Sequence, residues 1–124
     1  MDKVLLIVSD WNLRQLYHEL LFSKNIEVIP VEDISTAVMY LTADQFQAIV
    51  LYIDDETENI PMFLHLRKER QSWRKTKLIL LTSDKNFYQS HLLETDISIN
   101  LQKNTPAEIT EQIKAALKFC IMKI

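Results

Sequence analysis

Four short polar segments, each directly after an apolar run, hold the side chains that could do chemistry: Ser9-Asp10, Tyr52-Ile53-Asp54-Asp55, Thr82-Ser83-Asp84 and Gln102-Lys103. Carboxylates such as Asp10 and Asp54 are hard oxygen donors, suited to Mg²⁺ when several converge. They are also ionised at neutral pH and so available as nucleophiles. The Tyr52 phenol is not, because its reference pKa of about 10 keeps it largely protonated. A hydroxyl such as Thr82 and a cation such as Lys103 could steady developing negative charge. Asp10 also has a plainer role, since a carboxylate just ahead of a helix caps it.

Other chemistry is excluded early. The chain contains no glycine, where average usage would supply about nine. Left-handed backbone positions must therefore fall to Asn or Asp. No Walker loop or dinucleotide fingerprint can exist without glycine. His18, His65 and His91 lie far apart, in three separate helical segments, and lack metal-ligand spacing. Cys120 is the one cysteine, so no internal disulfide forms, in keeping with a cytoplasmic location. It is expected as a small core residue late in a helix. A net charge of −3 and a pI near 5.6 give no global pull toward nucleic acid or an anionic membrane. Arg67, Lys68, Arg70, Arg74, Lys75 and Lys77, with Trp73 among them, form the basic cluster. Cations favour helix C-termini, so a solvated helix end is expected there, with a docking patch for an acidic partner second and nucleic acid third.

The polar segments need elements to hold them. Val4 to Val8 is a continuous apolar run, too short for a membrane span or a signal peptide, and reads as a buried strand. Leu13, Leu16, Tyr17, Leu20 and Leu21 follow at helical spacing. Ile26 to Val31 alternates and contains Pro30, which places it at a sheet edge. Ile34, Ala37, Val38 and Leu41 mark a second helix, and Ala48 to Ile53 is a central strand. The acidic loop Asp54 to Glu58 leads to a third helix carrying Met62, Phe63 and Leu66, with Pro61 in its first turn. Leu78 to Thr82 is a third buried strand. Asp84 can cap a fourth helix with Phe87, Leu92 and Leu93. Ile97, Ile99 and Leu101 make a half-exposed fifth strand. Thr105-Pro106-Ala107-Glu108 is a capping box opening a helix with Ile109, Ile113, Ala116, Leu117 and Cys120 on one face.

Five strands and five helices in alternation predict one α/β domain over residues 1–124: a doubly wound, flavodoxin-like parallel sheet in a three-layer sandwich. Buried first, third and fourth strands with right-handed crossovers select the order 2-1-3-4-5. Ligands of such sheets bind where the winding reverses, just past the first and third strands. The polar segments gather at that end.

At these residues the sequence resembles, across essentially its full length, the receiver domain of bacterial two-component response regulators. The resemblance implies an acidic pair after the first strand, a phosphoacceptor aspartate ending the third, Thr or Ser ending the fourth, and Lys ending the fifth. The acids and phosphoacceptor hold Mg²⁺, the hydroxyl and lysine contact the phosphoryl group, and a strand-five aromatic reports the state. Val8-Ser9-Asp10 keeps only the second acid. Phe46-Gln47-Ala48-Ile49-Val50-Leu51-Tyr52 places Tyr52 at the phosphoacceptor position. Leu80-Leu81-Thr82-Ser83 retains the hydroxyl. Gln102 takes the lysine position, with Lys103 one residue late and therefore on the other face. Ile99 replaces the switch aromatic, and the loop glycine is missing.

These departures imply a degenerate receiver: a signalling domain, not an enzyme, with neither cofactor nor metal, working by protein contact. Tyr52 is expected to plug the vacated acid pocket, its hydroxyl on Asp10 or Thr82. Asp10 alone is a weak Mg²⁺ anchor. The resemblance implies a partner or a homodimer through the face of the fourth helix, fifth strand and fifth helix, without nucleic acid or membrane. The apolar end Phe119 to Ile124 suggests an interface, or a chain cut from a longer protein. One competing reading is a phosphorylatable receiver that uses Asp54 and Mg²⁺ in a distorted site, against the expectation that Asp54 belongs to a solvated acidic loop. Another is a small-molecule or nucleotide sensor, which predicts an open pocket beside Tyr52.

Overall fold

A computed structural model of the chain describes residues 2–83, 92–93 and 95–119, the Phe119 side chain excepted. In chain order the elements are β1 (Lys3–Ile7), α1 (Trp11–Ser23), β2 (Glu27–Val31), α2 (Ile34–Ala43), β3 (Ala48–Tyr52), α3 (Ile60–Glu69), α4 (Gln71–Arg74), β4 (Lys77–Thr82), β5 (Ile97–Asn100) and α5 (Pro106–Phe119). The strands form one parallel sheet in the order β2-β1-β3-β4-β5, as the burial pattern of the sequence requires. Pro30 lies in β2, an edge strand, opposite Leu6.

Side chains of the central strands alternate between two apolar layers. Val4, Leu6, Ala48, Val50, Ile79 and Leu81 meet Tyr17 and Leu21 of α1 and Ile109, Ile113 and Leu117 of α5. Leu5, Ile7, Ile49, Leu51, Leu78 and Leu80 meet Ile34, Ala37 and Leu41 of α2 and Phe63 and Leu64 of α3. Each such fully buried side chain contributes about 1.5–3 kcal/mol. This double burial explains why β1, β3 and β4 read as unbroken apolar runs.

The caps fall where they were expected. The Asp10 carboxylate accepts from the Leu13 N–H at 3.0 Å; Asp33, a cap not read from the sequence, does the same for Thr36 at 2.8 Å. Thr105 and Glu108 exchange both bonds of the capping box, at 2.9 and 3.2 Å. Without glycine, the left-handed positions are held by Asn25 (φ 65°) and Asn59 (φ 66°), the latter just before α3.

Several expectations need correction. Leu16 and Met62, placed on apolar helix faces, are 38% and 46% exposed. On α3 the inward positions belong to Ile60, Phe63, Leu64 and Arg67, so its buried face is rotated from the one read in the sequence. Arg67 and Lys77 are not part of a solvated helix end. Arg67 is 1% exposed and paired with Asp96 through bonds of 2.5 and 2.7 Å, and Lys77 is 4% exposed with its Nζ on the Ala116 carbonyl at 3.1 Å. The single turn α4 follows α3 directly and breaks the strict alternation. The expected fourth helix, from Asp84 through His91, and Cys120 lie outside the described residues; Leu92, at that helix's expected end, packs against the α2–α3 layer. No described helix is long and apolar enough to cross a membrane.

Candidate functional site

The carboxyl ends of β1 and β3 bring Ser9, Asp10, Tyr52 and Asp54 to one crevice. Alternation along β3 turns Tyr52 to the α1–α5 side, where it packs half-buried against the apolar layer. Its ring lies 6.0 Å from that of Tyr17, tilted by 52°, a favourable arrangement for two aromatic quadrupoles. Burial, followed by the negative charges of Asp54 and Asp10, raises the Tyr52 phenol above its ordinary value. Tyr17, buried more deeply and next to Tyr52, is pushed up to about 12. Both phenols are neutral at physiological pH, and neither is an activated nucleophile.

Asp54 does not dangle in a solvated loop, as the sequence suggested. Its carboxylate accepts from Ser9 Oγ at 2.9 and 3.1 Å. It also accepts from the Glu56 N–H at 2.9 Å and the Thr57 hydroxyl at 3.1 Å. Thr57 in turn receives the Asp54 N–H at 3.0 Å and lies 3.2 Å from the Tyr52 carbonyl. These bonds close the start of the β3–α3 loop over the end of β1. Ser9 is thus the donor that draws Asp54 across to the end of β1. Thr57 was not singled out from the sequence, although an Asp-x-x-Thr spacing is a common signal of such a turn.

Asp10 caps α1, as one of its two readings required. Arg14, one turn into α1, folds back so that its guanidinium donates to the Val8 carbonyl at 2.7 Å and to the Ser9 carbonyl at 3.3 Å. Arg14 thus brings a cation from α1 to this end of the sheet. Gln102 and Lys103 are exposed in the turn after β5, where the Gln102 N–H bonds Asn100 Oδ1 at 2.8 Å. Among the described residues neither has a hydrogen bond or ion pair to Asp10, Tyr52 or Asp54. Thr82 is buried at the end of β4, and its carbonyl takes the Leu101 N–H at 3.1 Å. Ile99 is buried in the α1–α5 layer at 3% exposure.

A crevice of about 220 Å³ stays open on the other side of Tyr52, lined among others by Ser9, Glu32, Asp33, Glu56 and Glu58. It is smaller than the usual ligand pocket of about 300 Å³ or more. Its acidic rim would repel the phosphates of a nucleotide. As a Mg²⁺ site the donor set is poor: Asp10 serves a helix end, Asp54 already accepts from three groups, and Tyr52 brings a neutral phenol where a carboxylate would be needed. Among the described residues no group of three or more His, Cys, Asp and Glu side chains is gathered for a metal.

No protein-family model and no curated protein matches the sequence. Solved structures do. The signal receiver domain of a signal transduction histidine kinase from Syntrophus aciditrophicus superposes with a TM-score of 0.80 at 14% identity, over 96% of this chain and 92% of that one. The chemotaxis response regulator CheY4 of Vibrio cholerae gives 0.78 at 16%, over 94% and 98%. A two-component response regulator from Clostridium difficile gives 0.72 at 16%, over 95% and 97%. At these identities the likeness speaks for the fold, which is the flavodoxin-like fold of receiver domains.

Proposed function

We propose that this chain is a receiver-like signalling domain of the phosphorelay type that acts by protein contact, without aspartyl phosphorylation and without catalysis of its own. The observation that carries the reading is Tyr52, a neutral phenol packed against Tyr17 at the end of β3, where the resembling family keeps its phosphoacceptor. Phosphoryl transfer needs an ionised nucleophile, a metal and a cation for the developing charge. Ser9, Tyr52 and Gln102 withdraw one component each. Asp54, engaged by Ser9 and Thr57, is held in a structural turn. Contact through the β5–α5 face with a partner or a second copy, inside the cytoplasm, completes the proposal.

The test is incubation with Mg²⁺ and beryllofluoride, followed by amide NMR, and with acetyl phosphate, followed by intact-protein mass spectrometry. The expected result is an unchanged spectrum around Asp10, Asp54 and Thr82 and no phosphoryl mass increment. Saturable shifts at those residues, or an increment abolished by Asp54→Asn, would make the chain a phosphorylatable receiver instead.

A further inference from the structure

We infer that the α3–α4 elbow, at the opposite end of the sheet from Tyr52, is a docking surface for an acidic extended segment of a partner protein. Six of the chain's 14 lysines and arginines fall between Arg67 and Lys77, in a protein whose net charge is −3. The structure divides them by role. Arg67 and Lys77 point inward and fasten the elbow, one to Asp96 and to the Thr76 carbonyl at 2.6 Å, the other to Ala116. Arg70, Arg74 and Lys75 are exposed, and among the described residues none of them has a carboxylate partner.

The surface is preorganised. Trp73, 4% exposed, lies beneath the Arg70 guanidinium at 4.7 Å, and Thr76 Oγ1 bonds the Phe46 carbonyl at 3.1 Å. A ligand would therefore meet cations whose carrier is already ordered. Nearby acids are engaged: Asp44 holds Lys3, and Glu69 faces His65 at 3.1 Å. Grooves flank the elbow on both sides. One of about 440 Å³ runs between Leu41 and Trp73 with polar groups such as Gln45, Ser72 and the Lys3-bound Asp44 in its lining, and another of about 500 Å³ lies beside Arg74, Leu93 and Thr95. Lys75 lines both.

Cations beside grooves of mixed polar and apolar lining fit a peptide that carries carboxylates together with polar and apolar side chains. A nucleic acid fits less well. Trp73, the aromatic of the elbow, is covered and offers no face for stacking a base, and three exposed cations make a short track for a phosphate backbone. The inference rests on the reading of the chain as a contact domain, and it adds a surface distinct from the β5–α5 face.

The experiment selects a phage-displayed random peptide library in parallel on the wild-type chain and on a folded Arg74→Glu/Lys75→Glu variant, with Arg74→Gln/Lys75→Gln as the milder control. Wild type should enrich acidic peptides carrying apolar residues. The synthesised winner should lose affinity by about tenfold or more on charge reversal, less on neutralisation, and weaken as salt rises. Winners without acidic bias, or binding indifferent to both variants, would overturn the inference. So would a single-stranded DNA oligonucleotide that outcompetes the peptide, or self-association in sedimentation that vanishes with the same charge reversal. None of these outcomes alters the beryllofluoride result, so the two proposals fail separately.

Discussion

Removing the Asp96 carboxylate should destabilise this domain more than removing the Arg67 guanidinium, although the two are partners. Their side chains are 0% and 1% exposed. Asp96 accepts four bonds: Arg67 Nη1 at 2.5 Å, Arg67 Nη2 at 2.7 Å, the Leu78 N–H at 3.0 Å and the Leu93 N–H at 2.8 Å. Arg67→Met leaves a buried carboxylate that still holds two backbone donors, a loss of about 3 kcal/mol. Asp96→Ala strands a buried guanidinium on the Thr76 carbonyl alone and orphans both amides, each worth about 1–3 kcal/mol. The total is about 5 kcal/mol or more, comparable with the whole stability of many domains at about 5–15 kcal/mol. The double variant Arg67→Met/Asp96→Leu removes the stranded charge and should fall below the Asp96→Ala loss, leaving chiefly the two amides. Urea denaturation followed by circular dichroism measures all three. An Arg67→Met loss equal to or above that of Asp96→Ala, or a double variant worse than either single one, would refute the reasoning.

Tyr52→Asp should lose about 2 kcal/mol as the ring leaves Tyr17 and a third carboxylate joins Asp10 and Asp54. Mg²⁺ should then raise the melting temperature of that variant but not of wild type, as read by thermal scans. Because the folded-state pKa values of Tyr17 and Tyr52 lie above the ordinary one, their contribution is fully present below a pH of about 10 and is lost as pH rises through the folded values. Alkaline unfolding should therefore coincide with late tyrosinate absorbance, and Tyr17→Phe should remove part of that late step. Thr105→Ala should lower the melting temperature by a few degrees through loss of the capping box. Thr105 hydrogen bonds hold Glu108 below its usual range, so that contribution is present above the ordinary carboxylate pKa and lost as pH falls through the folded one. The gap between variant and wild type should narrow in acid.

The parts of the fold legible in the sequence were those governed by local pattern. Apolar runs gave the buried strands, Pro30 an edge, and Asp10 and Thr105-Glu108 the starts of helices. Ser9 and Tyr52, at positions where the resembling family carries acids, were visible as residue types. What they do instead was not, because it depends on tertiary neighbours. Nothing near Ser9 in sequence announces a bond to Asp54, 45 positions away. Arg67 and Lys77 have the composition of a solvated helix end, and only the arrival of Asp96 and the α5 carbonyl makes burying them tolerable. The elbow at α4 escaped notice because a single turn has no periodicity to read.

Pro30 has one more effect, on how this domain can meet others. The Glu27 N–H donates to Asp2 and the Val31 carbonyl accepts from Val8, so Glu27, Ile29 and Val31 direct their backbone groups to β1. Val28 and Pro30 direct theirs outward. Proline has no N–H, which leaves Val28 as the only outward donor within β2. A foreign strand laid along that margin would find almost no ladder to complete, and the opposite margin, β5, is four residues long. The sheet thus resists extension by fibril-forming or peptide strands. Recognition by this domain would then be written in side chains and not in backbone ladders.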